Sequence, residues 1–217
     1  VGSTGHGNLP LCWTQPVSGT STSNYLGAYN YTVHNGNNCL RFNYSTPTGN
    51  YAMLPAFADL NTLYMKFWHR PESNTNSSCG TLYIGYVTDA NDMSTFVPLK
   101  TIEYSSVTTT YTEEKIYFNT APADARIVFK HVANTSNWYW HVDDVTIDKI
   151  PSCFEPENVT ISNMTSNTLT IKWTIPNGQP NATYIIKHGD AALLTTNVND
   201  TVYIARSEER RVGKECR

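Results

Sequence analysis

Residues 62–70 read TLYMKFWHR, and this stretch indicates the fold class of the chain. Its apolar side chains occupy every second position, at Leu63, Met65 and Phe67. Because alternate residues of a strand project to the same face, this period is typical of a strand buried on one face. No stretch of the chain repeats apolar residues at the spacing of a helix. The sequence therefore predicts an all-β protein.

Similar alternation recurs through the first 150 residues and predicts eight strands. They lie at about 39–45, 51–56, 62–70, 81–88, 95–104, 113–119, 126–132 and 138–148. Stretches rich in Pro, Gly, Asn and Asp separate them, as expected for turns. Eight antiparallel strands in one unit of this length predict a two-sheet β-sandwich such as a jelly roll.

A domain boundary is predicted at residues 151–156, within the sequence IPSCFEP. Proline cannot pair within a central strand, so two prolines this close predict a stiff linker. After it, Leu169, Ile171 and Trp173 again alternate with polar residues. We expect a first domain over 1–150 and a second, incomplete domain over 157–205.

The last twelve residues, 206–217, read RSEERRVGKECR and differ from everything before them. They hold 5 of the 15 cations and 3 of the 18 anions, which leaves 10 cations and 15 anions, a net charge of −5, over 1–205. The segment resembles a translated sequencing adapter, and we interpret it as a non-native tail. The alternative is a natural charged C-terminus.

Composition excludes several classes of function. The 217 residues carry a net charge of −3, which provides no electrostatic footprint for nucleic acid. No apolar run reaches the roughly 18 residues of a membrane helix, so we expect no membrane insertion. Charged residues make up 15%, against about 25% in an average domain. A surface rich in Asn, Thr and Ser predicts a secreted or cell-surface protein.

Four cysteines remain outside the tail: Cys12, Cys39, Cys79 and Cys153. Their spacing fits no zinc motif, so disulfides are favoured over buried free thiols. Three pairings are possible, and we favour Cys12 with Cys39 because both flank the first predicted strands.

The first domain resembles the cleaved-adhesin or MAM-like (choice-of-anchor J type) jelly roll of secreted Bacteroidetes proteins. The specific pieces are a turn and strand, D-x-x-D-x-STF-x-P over 89–98, and a closing strand, W-x-V-DD-V over 140–145. The stretch PENVTISNMTSNTLTIKWTIP, which follows the linker, resembles the first half of a fibronectin type III domain, an Ig-like sandwich, with Trp173 as its core residue.

The resemblance implies a non-catalytic adhesion module that recognises a host or matrix protein or a glycan, beside neighbouring domains of a longer chain. No G-x-S-x-G or H-E-x-x-H motif occurs, so we expect no enzyme activity. The alternatives are an accessory domain of an exported peptidase or glycoside hydrolase, whose catalytic domain lies elsewhere, and a structural spacer.

The acidic pair Asp143 and Asp144 is a candidate calcium site. Trp140 and Val142 occupy one strand face and Val145 the other, so burying all three requires a β-bulge at the pair. Relatives of the family bind calcium, and two adjacent carboxylates suit that ion. The alternative is that the pair caps loop amides. The DAND stretch, Asp89–Asp92, is interpreted as an Asx turn rather than a calcium loop.

Aromatic residues form the candidate ligand-binding site. Consecutive strand residues point to opposite faces, so part of the run at 138–141 and of the pair at 68–69 is expected at the surface. Exposed rings stack on sugars or anchor proteins. The candidate ligand-binding residues are Trp68, His69, Trp138 and Tyr139.

Overall fold

The computed structural model describes residues 8–16, 26–43, 49–133, 138–151, 155–165, 168–175, 183–188, 191–196, 202–206 and 212–216. The chain divides into two compact units, Val1–Ile150 and Pro151–Arg217. The described residues form antiparallel strands with short 3-10 turns and contain no α-helix, as the alternation predicts. Within the same residues, no helix has the length and hydropathy needed to cross a membrane.

The described part of the first unit contains nine strands. They are β1 (Leu26–Tyr29), β2 (Cys39–Phe42), β3 (Asn50–Met53), β4 (Leu63–Pro71), β5 (Thr81–Val87), β6 (Phe96–Glu103), β7 (Thr112–Tyr117), β8 (Arg126–Val132) and β9 (Trp140–Lys149). Eight of them coincide with predicted strands, whereas β1 was not predicted. Four 3-10 turns lie at Leu60–Thr62, Ser77–Cys79, Met93–Thr95 and Tyr104–Ser106.

The nine strands form two antiparallel sheets. A five-stranded sheet has the order β1-β2-β9-β4-β7, and a four-stranded sheet has the order β3-β8-β5-β6. One hydrophobic core draws on both sheets, with Phe67 of β4 in edge contact with Phe129 of β8 at 5.1 Å between ring centroids. Burial alternates strictly along β4, so Tyr64, Lys66 and Trp68 lie on the outer face of the five-stranded sheet. The predicted β-sandwich is thereby confirmed.

The three cysteines described in the first unit are not paired. Cys12, Cys39 and Cys79 are free thiols, so the favoured Cys12–Cys39 disulfide is wrong. Cys39 is buried on β2, whereas Cys12 lies in an exposed turn. Cys153 lies outside the described residues.

The second unit contains two three-stranded sheets in its described part. Their strands are β10 (Glu157–Ser162), β11 (Thr168–Thr174), β12 (Tyr184–His188), β13 (Ala191–Thr196), β14 (Val202–Arg206) and β15 (Val212–Cys216). The sheet orders are β10-β11-β14 and β13-β12-β15. Trp173 is buried as predicted, against Tyr184 and neighbouring isoleucines. Strand β15 falls within the predicted non-native tail and pairs with β12; the foreign origin of that segment stays a prediction.

Candidate functional site

A β-bulge lies at the Asp143–Asp144 pair. Lys66 pairs with Thr146, and Trp68 pairs with Asp143, so β9 advances three residues while β4 advances two. Asp144 takes a left-handed conformation, with φ of 47°, which aspartate tolerates better than most residues. The bulge predicted from the hydrophobic pattern is confirmed. It turns the two neighbouring carboxylates toward the loop at 30–38.

Asp143 holds that loop through backbone amides. Its Oδ2 accepts hydrogen bonds from the amides of His34 at 2.8 Å and Asn35 at 3.3 Å, and its Oδ1 accepts one from the amide of Asp144 at 2.9 Å. The neighbouring carboxylate, Asp144 Oδ2, lies 2.7 Å from His34 Nδ1. The loop-capping interpretation accounts for the pair. Within the described ranges, no three His, Cys, Asp or Glu side chains are grouped to hold a metal ion.

Asp143→Ala is expected to destabilise the loop. The substitution removes the carboxylate that accepts part-buried hydrogen bonds from the amides of His34 and Asn35, and hydrogen bonds to charged groups contribute about 1.5–3 kcal/mol. Chemical unfolding would measure the loss, with Asp148→Ala on the exposed end of β9 as the matched control. Equal stability of the two variants would contradict the capping role of Asp143.

The anchored loop places rings on the outer face of the five-stranded sheet. The His34 ring stacks on Trp68 with centroids 4.0 Å apart and planes at 15°, and Tyr111 lies 5.1 Å from His34. The Tyr111 hydroxyl donates to the carbonyl of Thr32 at 2.7 Å. Its burial raises the pKa of Tyr111, which therefore stays a neutral donor.

A second group of rings surrounds Arg41, a residue that sequence reasoning did not single out. Its Cζ lies 3.9 Å from the centroid of the Tyr29 ring and 4.0 Å from that of Tyr139. We call the side chains of Tyr29, His34, Trp68, Tyr111 and Tyr139 the outer aromatic face. All five are at least partly exposed.

The four predicted ligand-binding residues have different environments. Trp68 and Tyr139 belong to the outer aromatic face, and Trp138 is partly exposed just before β9. The prediction for His69 as a surface residue is wrong, because its ring is fully buried between the sheets, 5.7 Å from Phe67 and from Trp140. Burial lowers the pKa of His69 to about 4, so its imidazole is neutral at pH 7.

Beneath the outer aromatic face runs a chain of polar contacts from Cys39 through His141 to Glu72. His141 Nδ1 lies 3.5 Å from Cys39 Sγ, and His141 Nε2 lies 3.0 Å from Glu72 Oε2. This order resembles that of a nucleophile, a base and an orienting carboxylate. However, burial raises the pKa of the Cys39 thiol and lowers that of His141, and both side chains are buried. A protonated, inaccessible thiol does not act as a nucleophile.

The interpretation of Asp89–Asp92 as a turn is also supported. Asp89 Oδ1 accepts from the amide of Asn91 at 2.9 Å, and Asp92 Oδ1 accepts from that of Ser94 at 2.8 Å. Interaction with the Ser94 side chain, and second to it the hydrogen bond from the Ser94 amide, lowers the pKa of Asp92. Both carboxylates thus close an Asx turn before β6, as predicted.

Sequence comparisons find no matching family model and no matching curated protein. The structure is similar to the K1 cleaved adhesin domain of Lys-gingipain from Porphyromonas gingivalis W83, with a TM-score of 0.53 and 18% identity over 67% of this chain and 95% of that domain. The K3 cleaved adhesin domain matches with a TM-score of 0.50 and 18% identity, over 64% of this chain and 92% of its own length. The chain shares a fold with these adhesin domains. The resemblance inferred from sequence is therefore supported at the level of an adhesin-like β-sandwich.

Proposed function

We propose that the chain is a non-catalytic binding module of a secreted or cell-surface bacterial protein, and that it recognises a protein or glycan through the outer aromatic face. The observation that carries this proposal is the exposure of several rings, held by an anchored loop, on one face of a sheet. Aromatic side chains that are partly exposed to solvent can stack on sugars or anchor a protein partner. The shared fold with cleaved adhesin domains supports the same function.

The second unit is proposed to be a fibronectin type III-like module. Ig-like sandwiches place their first, second and fifth strands in one sheet and their third and sixth strands in the other. The order β10-β11-β14, with β12 in the other sheet, agrees with that arrangement; β15 lies in the segment predicted to be non-native and does not count toward it. In this proposal the second unit separates the binding module from neighbouring domains, and a role as an accessory or spacer region of an exported hydrolase is the alternative.

Trp68→Ala is expected to reduce binding. Central aromatic residues of an interface contribute more than about 1 kcal/mol each, so the variant should lose at least roughly 5-fold in affinity. Glycan arrays and host-protein panels would identify a ligand, and titration would then compare variants. Tyr83→Ala, on the outer face of the other sheet, is the matched control. Equal binding by wild type and Trp68→Ala would contradict the assigned face, and a wild type that binds nothing on either panel would favour the spacer.

Calcium at Asp143 and Asp144 stays a prediction of the family resemblance. A cation bound only to the native state must raise the melting temperature. Unfolding would be followed with saturating calcium and with chelator. Coincident transitions would remove calcium from the site, which the amide contacts of Asp143 explain without it.

A further inference from the structure

Arg41 is a buried cation whose Nε donor is unpaired among the described residues. The residue is 7% exposed, and its guanidinium lies between the rings of Tyr29 and Tyr139. Its Nε is buried with no hydrogen-bond partner among the described residues. A guanidinium carries five N–H donors, and both rings contact its faces rather than its donor edge. The two rings cover its faces, and Nε on its donor edge, although buried, has no partner in the described part of the chain.

No carboxylate among the described residues of the first unit forms an ion pair with Arg41. Glu72, on the same face, binds His141, and Asp143 binds the loop amides. The residues of the first unit outside the described ranges contain neither Asp nor Glu. Both carboxylates are thus hydrogen-bonded elsewhere, and Arg41 has no direct ion pair with a described residue of the first unit, although the charge of Glu72 acts on it at longer range.

A buried charge without hydrogen bonds is costly, and such groups in proteins are paired. The cation–π contacts with Tyr29 and Tyr139 offset part of that cost, yet they satisfy none of the donors. The planar fork of a guanidinium matches the two oxygens of a carboxylate. Arg70 lies on the same outer face, because it pairs in register with His141, the residue that also pairs with Arg41. A second cation therefore stands beside the site and opposes the charge of Glu72.

We propose that the donor edge of Arg41 binds the carboxylate of an acidic sugar in a glycan. The inference rests on the proposed function and specifies the ligand of the outer aromatic face. A sugar is favoured over an acidic peptide because partly exposed rings flank the cation, with Tyr31 next to Tyr29 at 5.8 Å and exposed by 68%. Rings of this kind stack on the apolar faces of sugars. The carboxylate would satisfy the guanidinium while the rings position the sugar.

The test compares acidic glycans with their neutral methyl esters, using the full chain. Oligogalacturonate and sialyllactose are titrated, each beside its methyl ester, together with a glutamate-rich peptide. At least one acid should bind roughly 10- to 100-fold more tightly than its ester, the range expected for charged hydrogen bonds. The same acid, and not its ester, should raise the melting temperature of the wild type.

Variants at Arg41 assign the effect to the guanidinium. Arg41→Gln removes the charge, and Arg41→Lys keeps the charge without the fork, so both should lose at least about 10-fold for the acid and little for the ester. Lys115→Gln on the outer face of β7 removes one cation elsewhere on that sheet and should stay within about 2-fold. Melting curves of all variants show that each is folded.

Other results would overturn the carboxylate site, and they differ from those that would overturn the proposed binding function. Equal affinity for acids and esters, with loss of both in Trp68→Ala, would retain the binding face and overturn the carboxylate site. Binding of the peptide alone, through Arg41, would replace the acidic glycan by a protein ligand. A wild type that binds no probe, glycan or protein would contradict the proposed function itself.

Discussion

Gly80→Ala is expected to lower the free energy of unfolding by about 3–5 kcal/mol. Gly80 follows the 3-10 turn Ser77–Cys79 with φ of 65°, in the left-handed region that side chains disfavour. A Cβ at this position would lie 1.9 Å from the carbonyl oxygen of Val132 and 2.7 Å from Ala133 Cα. Both contacts are with backbone, so the clash is relieved only by separating the turn from the end of β8.

The melting temperature of Gly80→Ala should fall by roughly 10 °C, at about 2–4 °C per kcal/mol for a chain of this size. Gly36→Ala is the matched control, because Gly36 also has a positive φ, of 69°, and a methyl group added there would have no atom within 4 Å. That variant measures the conformational cost alone, at about 1 kcal/mol. Equal losses in the two variants would contradict a close backbone contact at Gly80.

The strands were predictable where alternation is strong. Along β4, every apolar residue of TLYMKFWHR at the alternating positions Leu63, Met65 and Phe67 is buried, and the residues between them stay partly exposed. The bulge at Asp143 followed from the same pattern, because burial of Trp140 and Val142 together with Val145 requires a change of face. Hydrophobic periodicity records which side chains leave water, so it predicts the faces that form the core.

The outer aromatic face was only partly predictable. Trp68 and Tyr139 are among the candidate ligand-binding residues of the sequence, but Arg41 lies in a short apolar strand, CLRF, where a lone cation resembles an outward-facing solvated residue. His34 lies in a loop, where no periodicity applies. Its contact with Trp68 depends on Asp143, which is 109 positions away from it in the sequence. Contacts of that range depend on sheet order, which the pattern of single strands does not contain.

His69 was misassigned for a related reason. Trp68 and His69 are adjacent, so one faces the core and the other faces outward. Hydrophobicity alone favours a buried tryptophan, yet Trp68 is outward and His69 is buried. Phe67 is buried, and His69, two residues further along the strand, lies on the same face. Trp68 between them therefore faces outward. The phase of the strand therefore overrides the preference of the individual side chain.

Acidification below pH 6.5 is expected to destabilise the protein through its buried histidines. His69 and His131 are completely buried, and burial lowers the pKa of each to about 4. In the unfolded chain, both histidines have a pKa of about 6.5. Above roughly pH 6.5 neither state is protonated and stability is complete. Between about pH 6.5 and 4 the unfolded chain binds protons that the native state does not, which costs up to about 3 kcal/mol per histidine.

Denaturant unfolding at pH 7, 5.5 and 4.5 would measure this loss in wild type and in His69→Leu. No hydrogen-bond partner lies on either ring nitrogen of His69 among the described residues, so an apolar side chain of similar volume suits the site. The variant should match or exceed wild type at pH 7 and lose less stability on acidification.

His131→Gln tests the second histidine separately, because a glutamine amide can replace the donor that His131 Nε2 presents to the carbonyl of Cys79 at 2.8 Å. Measurements end at pH 4.5, since the ordinary carboxyl groups titrate below that pH. If wild type and His69→Leu lose equal stability between pH 7 and 4.5, the lowered pKa of the buried His69 is not the cause. A smaller loss of unfolding free energy on acidification in both His69→Leu and His131→Gln would assign the acid sensitivity to the core between the two sheets. That result would not depend on any ligand of the outer aromatic face.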